Sequence, residues 1–506
     1  MLPQEGRPAR PSAPAEELRR FSFDSESVLG TSLHLELAAP ASVLKPARVA
    51  LMDEIERLEK ILSTYQPRSE LRKLPRPCAA TPASKELREV LHAAERWMKD
   101  SGGTFHPGVQ VLSELWKAAE QRGSAPTTEE LAAAKARLVP QLWTIDDAAG
   151  TVALLSDLPL TFDAFAKGYI LDAAVAAAVK AGARDVVLDI GGDVRVHGDG
   201  RARIAVADPR QPADNADKLC ELDLRGLAVA TSGGYARGFD IAGQHFSHIF
   251  DPRTAAPVTA VLQATVVAPD AATADALATI LNVLAPQEGL ALVAKVPGAA
   301  SLVIDAQGQQ HASPEWAKHV RQSAPVVASG PSVLPGGGQL VLSFELQQPP
   351  PEAERAGGDE GRGGRGGRER RGGGGYRRPY VAAWVEDAQG HAVRTLALWV
   401  AEPKWIPDLR RWNRLYSRRE DDVRAVTRAT RAAGKYELVW DGRDDTGQPV
   451  EAGTFTVNLE VVREHGTYQL LTASFAADGT ESSVALKGDG IEVKAATLAY
   501  RLAKKP

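Results

Sequence analysis

The segment "ATVVAPDAATADALATILNVL", residues 264–284, decides how this chain is read. "ATVVA" (264–268) is a short apolar run of the kind that makes a buried strand. It feeds a helix in "TADALATILNVL" (273–284), where Leu277, Ile280, Leu281 and Leu284 recur at helical spacing. On that helix Asp275 and Thr279 stand four residues apart and so share a face. Burying an unpaired carboxylate costs roughly several kcal/mol, so Asp275 needs a partner. Two kinds fit: backbone groups nearby, or a hard cation, which takes oxygen ligands. Magnesium uses one or two protein oxygens and leaves its other positions to water and substrate phosphate.

Working outward, residues 21–322 alternate strand and helix patterns with short Gly/Pro punctuation. "SLHLELA" (32–38) alternates as a strand does, and "ARVALMDEIERLEKILSTY" (47–65) is an amphipathic helix. "LDAAVAAAVKAG" (171–182) is an alanine-rich helix closed by Gly182, and "DVVLDIGGDVRVHG" (185–198) is two strand pieces around a double glycine. The expectation is an α+β domain mixing helices and sheet. Four further stretches carry polar groups beyond what a core needs. Lys167 and Gly168 in "TFDAFAKGYILD" (161–172) open a helix, where a lysine beside exposed N–H groups suits a phosphate or simply faces solvent. Gly191 and Gly192 mark either a close backbone approach or a tight turn. "ATSGGYARGF" (230–239) offers the Thr231 and Ser232 hydroxyls or is an ordinary loop. "FSHIFDPRTAAPV" (246–258) gathers His248, Asp251 and Arg253, and His248 is a general base, a phosphate donor or a structural histidine.

The bulk properties narrow the setting. At 506 residues the chain is expected to hold two or three domains. Its 44% hydrophobic and 25% charged content is that of a globular protein. A net charge of −4 gives no electrostatic case for nucleic acid or a membrane surface. No apolar run is long enough to span a bilayer. Cys78 and Cys220 lack metal-type spacing and read as two unpaired thiols or, as the alternative, a single disulfide. The N-terminal stretch 1–20, rich in Pro, Ala and Arg, is expected to be disordered, and it shows no signal-peptide core.

Beyond residue 322 the composition changes. Residues 323–338 read as a linker, and residues 348–378, "QPPPEAERAGGDEGRGGRGGRERRGGGGYRR", as a disordered Arg/Gly-rich insertion. Around that insertion, residues 339–505 turn to strands such as "YVAAWVED", "VRTLALWV", "YELVWDG", "TFTVNLEVV" and "IEVKAATLAY". Regular strands with Gly/Asp turns predict an all-β, immunoglobulin-like sandwich. Asp441, Asp444 and Asp445 there are either calcium ligands or turn residues.

In order and spacing, "VLGTSL", "STYQPRSEL", "GGTFHPGVQVLSELW", "AFAKGYILD", "IGGDVRVHG", "ATSGGYARGF", "SHIFDPRTAAPV" and "TADALATILNVL" resemble the FAD:protein FMN transferases, the ApbE family, across residues 27–315. The resemblance implies a magnesium-dependent enzyme that splits FAD, passes FMN to a threonine hydroxyl of an acceptor protein as a phosphoester, and releases AMP. It implies Asp275, Thr279 and the Ala164 carbonyl as metal ligands, and His248 and Asp275 as the residues needed for catalysis. Lys167 contacts FAD by the same resemblance, and Leu29, Thr104, Phe105, His106, Thr161, Ser232 and His248 occupy positions at the FAD site. Three positions depart from the family pattern: Leu29 stands for Met, His106 for Asp, and Thr161 for Asp, with Asp163 two residues on. The last two bear on substrate contacts, so FAD hydrolysis to FMN and AMP, or flavin binding without catalysis, stand as alternatives. Residues 339–505 resemble an uncharacterised periplasmic β domain, which together with the family points to the periplasm, while the N-terminal stretch without a signal-peptide core leaves the cytoplasm as the alternative. The family's acceptor motif, Ser/Thr-X-Ala-Thr, occurs in this chain as Thr427–Thr430, making Thr430 a candidate built-in acceptor.

Overall fold

The computed structural model describes residues 17–77, 79–210, 218–234, 238–321, 332–347, 379–400, 403–416, 427–428, 434–463, 467–486 and 491–502; for residues 26–27, 403–405 and 427–428 it describes the backbone alone. Residues 1–16, Cys78, the insertion 348–378 and Thr430 lie outside the described residues. Contacts divide the chain into two units, Met1–Arg210 with Cys220–Arg321, and Gln322–Pro506 with Gln211–Leu219.

Hydrophobic alternation builds the first unit. In the strand Thr31–Pro40, Leu33, Leu35 and Leu37 are buried while His34 and Glu36 face the other side. That strand belongs to an eight-stranded sheet ordered Leu18–Val28, Thr31–Pro40, Asp185–Ile190, Asp193–His197, Ala228–Gly233, Val261–Ala268, Ala300–Asp305 and Gln310–Ala312. Every neighbouring pair in it is antiparallel. Three helices, Ala41–Leu62, Ala166–Lys180 and Ala271–Leu281, pack on it. The last two carry few polar side chains because neighbours cover them nearly all round. This is a mixed α/β fold of the α+β kind.

Two details differ from the sequence expectation. The first strand starts at Leu18, inside the stretch 1–20 expected to be disordered, because its backbone pairs with Pro40 and Ala39 at the end of the next strand. Thr231 and Ser232 lie on the strand Ala228–Gly233 rather than in a loop, paired to Thr265 and Ala264. Cys220 is a free thiol, and burial pushes its pKa up to about 11.

The second unit is sheet-rich. A four-stranded sheet runs in the order Gly434–Trp440, Gln339–Leu346, Val493–Arg501, Ser482–Ala485. A five-stranded sheet runs Thr427–Arg428, Ala392–Trp399, Tyr380–Glu386, Thr454–Val462, Tyr468–Ala476. Leu342, Phe344, Leu438 and Leu498 from one sheet share a core with Val381, Val385, Val457 and Leu459 from the other. The outer face of the five-stranded sheet is covered by a helix, Arg410–Tyr416, whose Trp412 and Tyr416 rings stack at 5.0 Å. Part of the expected linker 323–338 is structural: Leu334 is buried in the shared core, and Tyr500 Oη donates to the Pro335 carbonyl at 2.5 Å. Turn chemistry occupies Asp441 and Asp444, while Asp445 is bonded across to the strand Ala392–Trp399. Asp444 Oδ1 accepts from the backbone N–H groups of Thr446 and Gln448, Asp445 Oδ1 from Thr395, and Asp441 Oδ1 from Arg443. Among the described residues no helix is long and apolar enough to cross a membrane.

Candidate functional site

The helix Ala166–Lys180 starts at the centre of the first unit, with Phe165 before it buried against Phe105 and Phe162. Its first-turn N–H groups have no partner within the helix. One of them, on Gly168, donates to Asp275 Oδ2 at 3.1 Å. Gly168 has to be glycine here, since a Cβ would fall 2.2 Å from the Ala271 carbonyl oxygen. That close approach brings the helix Ala271–Leu281 against it.

Asp275 is buried in this contact. Burial, reinforced by the charge of Asp193, pushes its pKa well above the usual carboxylate range, while Lys167 and the Gly168 N–H pull the other way. One turn on, Thr279 Oγ1 donates to the Ala164 carbonyl at 3.5 Å. A carboxylate, a hydroxyl and a carbonyl therefore converge, and all three offer oxygen. Among the described residues no group of three His, Cys, Asp or Glu side chains could hold a metal, so a cation here depends on the neutral oxygens. Such a donor set fits a hard divalent cation.

Lys167 makes an ion pair with Asp193 Oδ2 at 2.8 Å. Asp193 is buried, and burial raises its pKa while the Lys167 ammonium opposes the rise. Asp163 and Asp189 stand nearby with pKa values also raised by desolvation. Four carboxylates thus crowd one lysine. The double glycine permits this: Gly191 and Gly192 take φ values of 63° and 93°, and the Gly192 N–H donates to Asp189 Oδ1 at 2.8 Å. Asp193, within "IGGDVRVHG", carries no role in the sequence pattern, and the ion pair reveals one. Asp172 was missed in the same way. Tyr65, 84% exposed, donates to Asp163 Oδ2 at 3.5 Å, and nothing in the sequence separates it from an ordinary surface tyrosine.

An adjoining group forms around Thr104–Phe105–His106. Thr161 N–H donates to the Pro107 carbonyl at 2.8 Å, and Phe105 meets Phe165 edge-on at 5.8 Å. The Thr161 hydroxyl accepts from Asp163 N–H, and Thr104 Oγ1 donates to the Ser101 carbonyl. His106 is buried, its Nδ1 accepting from Gly108 N–H and its Nε2 donating to the Val139 carbonyl. Burial lowers its pKa, so it is a neutral imidazole. Its edge lines a cleft of about 700 Å³ together with Met98, Lys99, Leu138, Pro252 and Arg253.

Leu29, Ser232 and His248 come from three loops or strand ends. Leu29, at φ 52°, forms a two-residue hairpin turn with Gly30 at the sheet end where Thr31 meets Gly191. The Ser232 carbonyl accepts from Asn282 Nδ2 at 3.1 Å, which ties that strand to the end of the Asp275 helix. His248 is exposed on the bend after the hairpin Gly238–Ile241 and Gln244–Ser247. A Cβ on Gly234 would lie 2.1 Å from Ser247 Oγ, so the Ser232 and His248 segments touch. The hydrogen bonds above join Gly168 to Asp275 and Thr279 to Ala164, and the ion pair joins Lys167 to Asp193; they do not reach Leu29 or His248.

A family model described as "ApbE family" matches residues 29–303, and one described as "Predicted periplasmic protein (DUF2271)" matches residues 370–493. The FAD:protein FMN transferase of Rhodobacter capsulatus is 31% identical over 314 residues, covering 60% of this chain and 58% of that protein. That of Treponema pallidum is 27% identical over 303 residues, covering 55% of this chain and 83% of its own. Among solved structures, the ApbE protein of Thermotoga maritima is 27% identical with a TM-score of 0.53, covering 60% of this chain and 100% of that one. Flavinyl transferase ApbE of Pseudomonas stutzeri in its apo form is 25% identical with a TM-score of 0.52, covering 61% and 98%. Matched by the family model over more than half of its length, with both helices of the Gly168–Asp275 contact inside the match, the chain belongs to the ApbE family.

Proposed function

We propose that this protein transfers FMN from FAD to a threonine hydroxyl of an acceptor protein and releases AMP, with magnesium at Asp275, Thr279 and the Ala164 carbonyl. The observation that carries this reading is the all-oxygen convergence of those three groups beside Lys167. The names of the relatives support the same chemistry.

In the proposed step the acceptor oxygen bonds to the FMN phosphorus, the pyrophosphate P–O bond breaks, and AMP leaves with the bridging oxygen. A bound divalent cation supplies charge neutralisation at the pyrophosphate. Lys167, oriented by Asp193, neutralises a phosphate oxygen. His248, exposed on its bend, takes the threonine proton. Phe105, Thr104, His106, Thr161, Leu29 and Ser232 shape the flavin nucleotide site. His106 contributes a neutral surface there, because both ring nitrogens are engaged by backbone.

The domain reading that goes with this function assigns 21–322 to the transferase and 339–505 to an immunoglobulin-like sandwich, working in the periplasm. Description of the second family as periplasmic supports that compartment. Thr430 stands as a candidate acceptor on sequence grounds alone. The test incubates purified chain, FAD, Mg²⁺ and a separate acceptor domain, then views a denaturing gel for flavin fluorescence. A fluorescent acceptor band that chelator abolishes is expected. Free FMN and AMP with no band would replace transfer by hydrolysis.

A further inference from the structure

Asp172 lies one helical turn beyond Gly168 on the helix Ala166–Lys180, so both residues point along one face. Both meet the first residues of the second helix. A Cβ on Gly168 would strike the Ala271 carbonyl oxygen, whereas Asp172 Oδ1 accepts from the Ala271 N–H at 3.0 Å. Asp172 Oδ2 accepts from the Ala272 N–H, also at 3.0 Å. Asp275 returns the contact in the other direction, accepting from Gly168 N–H. Each helix thus uses a carboxylate to satisfy N-terminal N–H groups of the other, a reciprocal cap. A third element locks it: Arg195 Nε donates to Asp172 Oδ1 at 3.0 Å, from the same strand that supplies Asp193 to Lys167.

Register along this contact decides where the oxygen groups stand. Asp275 and Thr279 are fixed to the helix Ala271–Leu281, while Ala164 and Lys167 belong to the other helix and its approach. A slide of about 1 Å between the helices would separate the Thr279 hydroxyl from the Ala164 carbonyl, which is sufficient to spoil a demanding octahedral cation. Asp270, whose side chain accepts from Thr273 N–H, already caps the helix locally. The two bonds from Asp172 are therefore not required for the helix to start, and their effect lies in its position.

We propose that Asp172 is a positioning residue for the cation site, clamping the N-terminus of the Asp275 helix against Gly168 so that Asp275 and Thr279 meet the Ala164 carbonyl. This role rests on the reading of those oxygens as a cation site.

The experiment uses the full chain with FAD present and Mn²⁺ as the probe, its free concentration read by electron paramagnetic resonance, and folding followed by circular dichroism. Asp172→Ala is expected to weaken Mn²⁺ binding at least fivefold while the melting midpoint moves by only a few degrees. Asp172→Asn, which keeps one carbonyl acceptor, is expected to fall between it and the unaltered chain, and it decides the matter should the alanine variant not fold. Equal Mn²⁺ affinity in all three proteins overturns the positioning role alone. An unaltered chain that binds no Mn²⁺ overturns the cation site, and this role with it.

Discussion

Glu492 in the second unit and Asp275 in the first are both buried carboxylates, but their surroundings treat them differently. Glu492 meets Arg463 Nε at 2.9 Å and accepts from Thr467 Oγ1 at 2.7 Å. Elsewhere in that unit Glu386 takes two bonds from Arg411 and one from Trp384 Nε1, and Glu460 accepts the backbone N–H groups of Arg411 and Trp412. These acids are matched, and they hold strands and a helix in place. In the first unit Lys167 is committed to Asp193, and Asp275 takes a backbone N–H from Gly168. The same kind of cost is left incompletely offset there. A matched buried acid is architecture; a crowd of acids around one lysine leaves negative charge incompletely offset, the setting in which the proposed cation would act.

The largest expected effect tests the unmatched side. Asp275→Ala should lower flavin transfer by about 10³-fold or more, read as the rate of fluorescent labelling of an acceptor. If Asp275 were architecture, its loss would also destabilise the fold. Instead the melting temperature of the metal-free protein should move by only a few degrees, because removing a desolvated carboxyl offsets the loss of its bond from the Gly168 N–H. Its pH dependence has a definite sign. A carboxyl whose folded pKa is raised favours the folded state below its unfolded value near 3.8, and that contribution is lost as pH climbs through the folded value. Metal-free protein should therefore weaken as pH rises over that window, and Asp275→Asn should flatten the profile.

Glu492→Ala tests the matched side. It strands Arg463 in the interior and should cost about 3–5 kcal/mol in denaturant unfolding of the second unit, with transfer per folded molecule unchanged. A loss below about 1 kcal/mol would show that the ion pair is not structural.

Gly168→Ala falls between architecture and site. Its new Cβ meets backbone atoms of Ala271, so the two helices must part, at about 1–3 kcal/mol. The magnesium concentration for half-maximal transfer should rise as well. Tolerance on both counts would show that the helix contact is soft.

The smallest effect is at His106. Its lowered pKa means the unfolded chain takes up a proton first, so stability is lost as pH falls below about 6.5. Replacing it by Gln should flatten that loss between pH 7 and 5, by no more than about 1 kcal/mol. An unchanged profile would show that the imidazole is not held neutral.

Much of the first unit was legible because period and punctuation carry it. The strand and helix of 264–284 and the alanine-rich helix ending before Gly182 all stand close to where the sequence puts them. Asp275 and Thr279 could be singled out because polar groups on an apolar helix are conspicuous. Asp193 could not, since an acid on a strand looks like surface until its partners are known; Asp172 stands out on its apolar helix as Asp275 does, but its partners, the Ala271 and Ala272 N–H groups, are about a hundred residues away and invisible to the pattern. In the second unit the strands Tyr468–Ala476 and Ser482–Ala485 escaped notice, as did the helix Arg410–Tyr416. A seven-residue helix is too short to display a period, and the strand Ser482–Ala485 is exposed throughout, so it lacks apolar alternation.

The sheet of the first unit pairs Leu33 with Ile190, far along the chain, and the Asp275 helix comes later still. During synthesis at roughly 5–20 residues per second, the first hairpin waits on the order of ten seconds for its neighbour. Until then one edge of a long apolar strand is open to wrong partners. The oxygen cluster cannot assemble before the Asp275 helix has emerged, so a prematurely terminated chain carries the hairpin without Asp275 and Thr279. A ribosome stalled in the second unit, by contrast, leaves a first unit complete in every residue it needs.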